Sequence, residues 1–179
     1  MGLHYATQLY KPVEPEAYTR LLKVLERNLQ LPGLLGATIF LDQCTPPWTD
    51  ARVHWIPRRG RASFSDFLNI VNTPATNHLE EYGGSHLLFA NSDIIFDETV
   101  SRLMTALSEP RWAACLTRRE INGAFPAGID PLQSQDAWML RRQPLDPRLI
   151  DQMQGVRLGV PGCEHLFAAA LVAHGFGLW

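Results

Sequence analysis

No apolar run in this chain approaches the roughly 20 residues a membrane-spanning helix needs. The amino terminus, Met1-Gly2-Leu3-His4-Tyr5, lacks the basic and apolar regions of a secretory leader, so a cytoplasmic location is expected. Cysteine is scarce. Cys44, Cys115 and Cys163 are odd in number and widely spaced, which argues against a disulfide framework and a zinc site and for free, mostly buried thiols. Excess positive charge is also missing: the formal net charge of -2 argues against a wrapped nucleic-acid partner. The densest basic run, Arg58-Arg59-Gly60-Arg61, is local and suits a phosphate group. No Gly-x-Gly-x-x-Gly follows any expected strand, which disfavours a Rossmann dehydrogenase. There is no internal repeat and no low-complexity tract.

What is present is an ordinary globular composition, 46% hydrophobic and 19% charged, in a length that fits one domain with a real core. Leu3 to Tyr10 reads as a first strand. Pro15 suits a first helical position, and Tyr18, Leu21, Leu22, Leu25 and Leu29 recur at helical spacing up to Pro32-Gly33. Gly36 to Leu41 is a second strand ending in Asp42, and Val53 to Ile56 a short third. Ser63 stands three residues before Asp66, a cap-like pair opening a helix through Phe64, Phe67, Leu68 and Val71. Thr73 to Ser85, with Gly83-Gly84, reads as a polar loop. Trp112 to Thr117 and Ala137 to Leu140 are further strands, separated by a long irregular stretch through Gly123, Pro126, Gly128 and Pro131. Pro144 to Gln154 reads as loop with a helical turn, and Leu166 to His174 as the last helix. Strands alternating with helices predict an α/β class with a largely parallel sheet.

One stretch organises the rest. The apolar run His86-Leu87-Leu88-Phe89-Ala90 stops at Asn91-Ser92-Asp93, and a new amphipathic pattern from Asp97 to about Leu107 follows. That is a buried strand, a polar tip and a departing helix, with Asp97 reading as the helix N-cap. In open α/β sheets ligands sit outside the carboxyl ends of the strands. A carboxylate there can hold a metal ion or a charged substrate. Asp and Asn also occur at strand ends simply to make turns and cap helices.

Several segments, in order, carry a resemblance: Arg61-Ala62-Ser63-Phe64-Ser65-Asp66-Phe67, Ala90 to Asp97, Cys115-Leu116-Thr117-Arg118, Ser134-Gln135-Asp136-Ala137-Trp138, and Pro161-Gly162-Cys163-Glu164-His165. Together they resemble inverting, nucleotide-sugar-dependent glycosyltransferases of the GT-A fold, family-two-like, over nearly the whole chain. The resemblance implies a Rossmann-like, three-layer α/β/α sandwich around a mainly parallel, mixed sheet. It implies one glycosyltransferase-like domain over residues 1–179. The final Phe176-Gly177-Leu178-Trp179 stops where the pattern calls for another strand, so the domain reads as truncated at its carboxyl-terminal end. It also implies an enzyme that moves a sugar from a nucleotide-diphosphate donor to an acceptor.

In that family an Asp-x-Asp motif holds a divalent cation; here the triplet is Asn91-Ser92-Asp93, with one carboxylate replaced by an amide. Asp93, with the Asn91 carbonyl, would bind Mn2+ or Mg2+, hard cations that take carboxylate and phosphate oxygens together. Arg61, or its neighbours Arg58 and Arg59, would contact phosphate oxygens. Asn91, Ser92 and Asp93 together with Asp42 make up the expected donor and nucleotide region. Asp136, Trp138 and His165 make up the expected sugar or acceptor region. Glu164, opening the last helix, matches the catalytic base.

Each assignment has a plainer counterpart. Glu164 suits a helix first turn on dipole grounds alone, and His165 suits a helix surface. Asp136 can bond its own loop amides, Trp138 can fill the core, and Trp48 and Trp55 can pack rather than stack on a sugar or base. Two rival functions follow. One is a degenerate or truncated relative that binds nucleotide-sugar or a partner without turnover, which Asn91 and the ending at Trp179 favour. The other is an α/β nucleotidyltransferase, disfavoured because Leu3 to Pro12 lacks a glycine-rich loop.

Overall fold

A computed structural model describes residues 2–72, 85–120, 123, 127 and 135–179, and the structural statements below concern these residues. The polar loop with Gly83-Gly84, most of the irregular stretch (Pro126, Gly128 and Pro131 included) and Ser134 fall outside them. In chain order the elements are β1 (Leu3–Tyr10), α1 (Pro15–Asn28), β2 (Leu34–Asp42), β3 (Val53–Arg58), α2 (Phe64–Asn72), β4 (His86–Ala90), α3 (Val100–Ala106), β5 (Trp112–Leu116), β6 (Ala137–Arg141), α4 (Pro147–Gln152), α5 (Cys163–Ala173) and β7 (Gly177–Leu178).

The strands form one seven-stranded sheet in the order β3-β2-β1-β4-β6-β5-β7. β1 pairs in parallel with β2 and β4, and β3 with β2. β6 inserts antiparallel between β4 and β5, so the sheet is mixed and mainly parallel. β7, at the end of the chain, pairs in parallel with β5.

Both faces of the sheet are covered, which is why β1, β4 and β6 read as nearly continuous apolar runs. Alternation sorts their side chains between two cores. Tyr5, Ile39, Leu88 and Met139 pack under Leu21 and Leu25 of α1 and Val100 and Met104 of α3. Phe40, Phe89, Trp138 and Leu140 pack against Phe64 and Phe67 of α2, Leu149 of α4 and Phe167 of α5. Phe67 stacks on Phe89 at 5.1 Å between centroids, and Phe64 on Phe167 at 4.3 Å.

Local signals act much as their chemistry requires. Pro15 sits in the first turn of α1. Ser63 and Asp66 form a reciprocal cap: the Ser63 N–H donates to Asp66 Oδ2 at 2.7 Å, and the Asp66 N–H to Ser63 Oγ at 3.4 Å. One reading needs correction. Asp97 is not the N-cap of α3, because the chain first makes a short turn. Asp97 Oδ1 instead accepts from the N–H and hydroxyl of Thr99, and Thr99 is the cap position. The helical turn expected between Pro144 and Gln154 is a capped six-residue helix, α4. The Asp146 carboxylate accepts the Arg148 N–H at 2.9 Å, with Pro147 in the first turn.

Candidate functional site

The parallel strands end along one edge of the sheet, at Tyr10, Asp42, Arg58 and Ala90. β6 runs the other way, so its start rather than its end lies there. Its register pairs Ala90 with Ala137 and Leu116 with Ala137, which brings Asn91 and Asp136 side by side just beyond the ladder. The Asn91 N–H donates to the Asp136 carbonyl at 3.1 Å, and Asn91 Nδ2 donates to Asp136 Oδ1, also at 3.1 Å. Arg118, two residues past β5, places its Nε 3.8 Å from Asp136 Oδ2.

A cleft of about 160 Å³ opens here, lined by Gln8, Tyr10, Arg61, Asn91, Asp93 and Gly159 among others. Asp93 is exposed and has no ion-pair partner among the described residues. Arg61 Nη1 donates to the Gly159 carbonyl at 2.8 Å. Gly159 has φ +75°, and a Cβ there would stand 2.9 Å from Asn91 Oδ1 and 3.1 Å from Arg61 Nη1. The position therefore needs glycine for its backbone angle and for the close approach alike.

Three carboxylates share one neighbourhood. Burial pushes the Asp136 carboxyl above its ordinary range. The Arg118 charge and the Asn91 amide oppose that shift, and the charges of Asp93 and Glu164 add to it. Glu164 lies half-buried in the first turn of α5, where the Cys163 thiol donates to its Oε2 at 3.4 Å. Asp136 thus lies within electrostatic reach of both Asp93 and Glu164, although 43 and 28 residues separate it from them in the chain. Among the described residues no group of three or more His, Cys, Asp or Glu side chains is close enough to hold a metal ion unaided. Among the described residues, Asp93 is the carboxylate that lines the cleft without an ion-pair partner. That donor set fits a magnesium or manganese ion carried in by a diphosphate, because such ions bind through one or two carboxylates plus phosphate oxygens and water.

The remaining candidates lie elsewhere. Trp138 is fully buried and packs edge-on against Phe64 and Phe167 at 6.4 and 4.7 Å, so it fills the core and does not reach a sugar. Its inward direction follows from β6 being covered on both faces. Asp42 is outside the cleft lining; its Oδ1 accepts the Gly60 N–H at 2.8 Å and ties β2 to the basic loop. Arg58 is ion-paired with Asp66, and Arg59 is exposed outside the cleft lining, so Arg61 alone of that run reaches the cleft. His165 is exposed on α5. Trp48 and Trp55 pack edge-on against each other at 5.9 Å.

Sequence reasoning missed Gln8, Tyr10 and Gly159. Gln8 and Tyr10 close β1 at the ligand-binding edge of the sheet, which was a usable signal. Gln8 Oε1 accepts the Ala62 N–H at 2.6 Å and so holds the start of the α2 cap against β1. It also missed Asn28, whose apolar-face position in α1 gave no hint of its polar contacts.

No protein-family model matches the sequence, and no curated protein matches it. Solved structures match nearly its whole length. A protein from Desulfovibrio desulfuricans G20 assigned as a nucleotide-diphospho-sugar transferase aligns with a TM-score of 0.56 and 13% identity, over 99% of this chain and 79% of that one. A mannosyltransferase from Pyrobaculum calidifontis, in complex with GDP-Man and Mn2+, aligns with 0.60 and 10% identity, over 98% and 53%. The 4-diphosphocytidyl-2C-methyl-D-erythritol synthase from Anaerococcus prevotii aligns with 0.55 and 7% identity, over 99% and 85%. At such identities the likeness is one of fold: the chain has a GT-A-like α/β fold of the kind used by nucleotide-sugar transferases.

Proposed function

We propose that this chain binds a nucleotide-diphosphate sugar in the cleft beside Asn91-Ser92-Asp93 and transfers the sugar, with inversion, to an acceptor hydroxyl. The observation that carries this reading is the placement of Asp93 and Arg61 in one cleft lining, with Asp136, just outside that lining, within electrostatic reach of Asp93 and of Glu164. Arg61 supplies a guanidinium for the diphosphate. Asp93, with the Asn91 carbonyl as a neutral companion, would hold a Mn2+ or Mg2+ ion, which would supply positive charge against the departing diphosphate. Asp136 faces the sugar. Glu164 takes the proton of the acceptor hydroxyl as its oxygen bonds to the anomeric carbon, and the bond from that carbon to the diphosphate breaks with the electron pair leaving on phosphate. The roles of Gln8 and Tyr10 follow from their place: they wall the donor side of the cleft.

A second reading, nucleotidyl transfer from a nucleoside triphosphate to a sugar phosphate, draws support from the likeness to the diphosphocytidyl synthase. The same edge would serve it. Against it stands one local feature: the β1–α1 connection Lys11-Pro12-Val13-Glu14 has no glycine whose bare backbone could wrap a triphosphate.

The test is a thermal-shift series with UDP-, GDP- and CDP-sugars and with CTP, each with Mn2+ or with EDTA. A ligand at 100 times its Kd stabilises the folded state by about 2.7 kcal/mol, which for a chain of this size is a rise of roughly 5 °C or more. A rise with a nucleotide sugar supports transfer of the sugar; a rise with CTP alone favours the second reading. No shift with any of them overturns both.

A further inference from the structure

Ser92 and Asp93 lie between two clamps. Upstream, Thr7 Oγ1 donates to the Ala90 carbonyl at 2.8 Å, and Asn91 is tied to Asp136 through backbone and side chain. Downstream, the hold is Asn28, the last residue of α1, which is fully buried. Its Nδ2 donates to the Ile94 carbonyl at 2.8 Å and to Tyr5 Oη at 3.1 Å, and its Oδ1 accepts the Phe96 N–H at 3.0 Å.

An amide side chain has two donor hydrogens and one carbonyl acceptor. Here both kinds are engaged, and the Ile94 and Phe96 bonds fall on the segment that directly follows Asp93. The other bond goes to Tyr5, a fully buried residue at the centre of the sheet. Burial pushes the Tyr5 hydroxyl up to about 12; Asn28 and Thr7 oppose this, and the charge of Asp93 adds to it. Asp93 therefore lies within electrostatic reach of the same assembly. Without Asn28, the turn from Ser92 to Ile95 would keep hydrogen bonds at its Asn91 end but be held downstream only by the packing of Ile94 and Phe96, with Asp93 and Ile95 both exposed.

We propose that Asn28 is a positioning residue for Asp93: by clasping Ile94 and Phe96 to the rigid end of α1, it fixes where the Asp93 carboxylate points in the cleft. The inference rests on the donor-site reading given above. It follows from the geometry a hard cation demands. A carboxylate that must meet a metal ion and a diphosphate together tolerates little wander, and groups that orient such ligands matter nearly as much as the ligands.

The experiment titrates UDP and GDP into the full chain with Mn2+ and again with EDTA, for the unmodified protein, Asn28→Ala and Asn28→Asp. Asn28→Asp keeps the shape and the acceptor for Phe96 N–H, so it remains informative if the alanine variant folds poorly. Ile150→Ala, a core truncation on the opposite face of the sheet, serves as a control for lost stability. Both Asn28 variants should lose about tenfold or more of the manganese-dependent gain in affinity, with metal-free affinity unchanged, while Ile150→Ala keeps the full gain. If the unmodified protein shows the gain and the Asn28 variants retain it, or Ile150→Ala loses it equally, the inference fails and the donor site stands. If the unmodified protein shows no gain, the donor-site reading of Asp93 fails, and the inference falls with it.

Discussion

Asn91 donates from Nδ2 to Oδ1 of Asp136 at 3.1 Å, across the junction where β6 runs antiparallel to β4. The ladder places these two positions together whatever their side chains. A carboxylate at position 91 would face a carboxyl already pushed up by burial and, less strongly, by the charges of Asp93 and Glu164. The amide gives Asp136 a donor where a second acid would give it a repulsive neighbour. The departure from an Asp-x-Asp triplet is therefore matched by Asp136, and does not by itself mark decay of the site.

Asn91→Asp should consequently be less stable than the unmodified protein in EDTA at neutral pH, by about 1–2 kcal/mol for a lost donor and an added like charge. Two facing carboxylates share a proton more readily when folded than when unfolded, so the deficit should shrink as pH falls towards the carboxylate range. Mn2+ should raise the melting temperature of the variant more than that of the parent. Melting curves in EDTA and in Mn2+ at neutral and mildly acid pH check all three; a variant as stable as the parent in EDTA removes the repulsion argument.

Gly159→Ala should cost both stability and anion binding. The new methyl would stand 2.9 Å from Asn91 Oδ1, closer than relaxed Cβ atoms come, and a tight 3.1 Å from Arg61 Nη1, on a backbone with φ +75°. A left-handed non-glycine residue alone costs about 1 kcal/mol or more. Urea unfolding should show that loss, and a UDP or GDP titration should show weaker binding as Arg61 is pushed from its place. Loss of stability with unchanged affinity would separate Arg61 from the diphosphate.

How much of this was legible in the sequence follows from what each residue depends on. β1, α1 and the Ser63–Asp66 cap were readable because their signals are local: apolar run, proline in a first turn, acceptor three residues on. The meeting of Asn91 with Asp136 was not, because it depends on β6 running antiparallel, a matter of topology that no spacing between residues 91 and 136 encodes. Whether Trp138 lines the sugar region or fills the core stayed open in the sequence for a related reason: nothing local shows that a second helical layer, with Phe64 and Phe167, covers it. Asn28 was hidden by its place among Leu21, Val24 and Leu25, where a polar residue reads as a break in the pattern. Its purpose is visible only once Ile94 and Phe96 arrive from 66 and 68 residues away.

Glu164→Gln should lower turnover by about 10²–10⁴-fold if Glu164 is the base, while leaving donor affinity within about twofold, since Glu164 lies outside the cleft lining that holds Arg61, Asp93 and Gly159. Cys163→Ser, which keeps a donor beside Oε2, should retain most of the activity. Turnover measured with a donor identified by thermal shift tests this; an unimpaired glutamine variant takes Glu164 out of the mechanism.

Stability should fall in mild acid, through a group far from the cleft. His4, buried near the amino end of β1 with Nε2 2.9 Å from Thr38 Oγ1, is lowered to about 3, by burial first and then by the charges of Arg142 and His54. The unfolded chain binds a proton on this ring below about pH 6.5 and the folded chain does not until about 3. Its contribution is therefore intact above pH 6.5 and declines as pH falls, by about 1.4 kcal/mol per unit, or about 2 kcal/mol at pH 5. His86, lowered mainly by burial, acts in the same direction. His4→Gln, which keeps a partner for Thr38, should show a shallower loss in urea midpoint between pH 7 and pH 5 than the parent. Parallel losses would mean that His4 is not held neutral. Because His4 sits at the opposite end of β1 from Gln8 and Tyr10, nucleotide affinity of the folded protein should not follow this titration, which distinguishes an acid-sensitive fold from an acid-sensitive site.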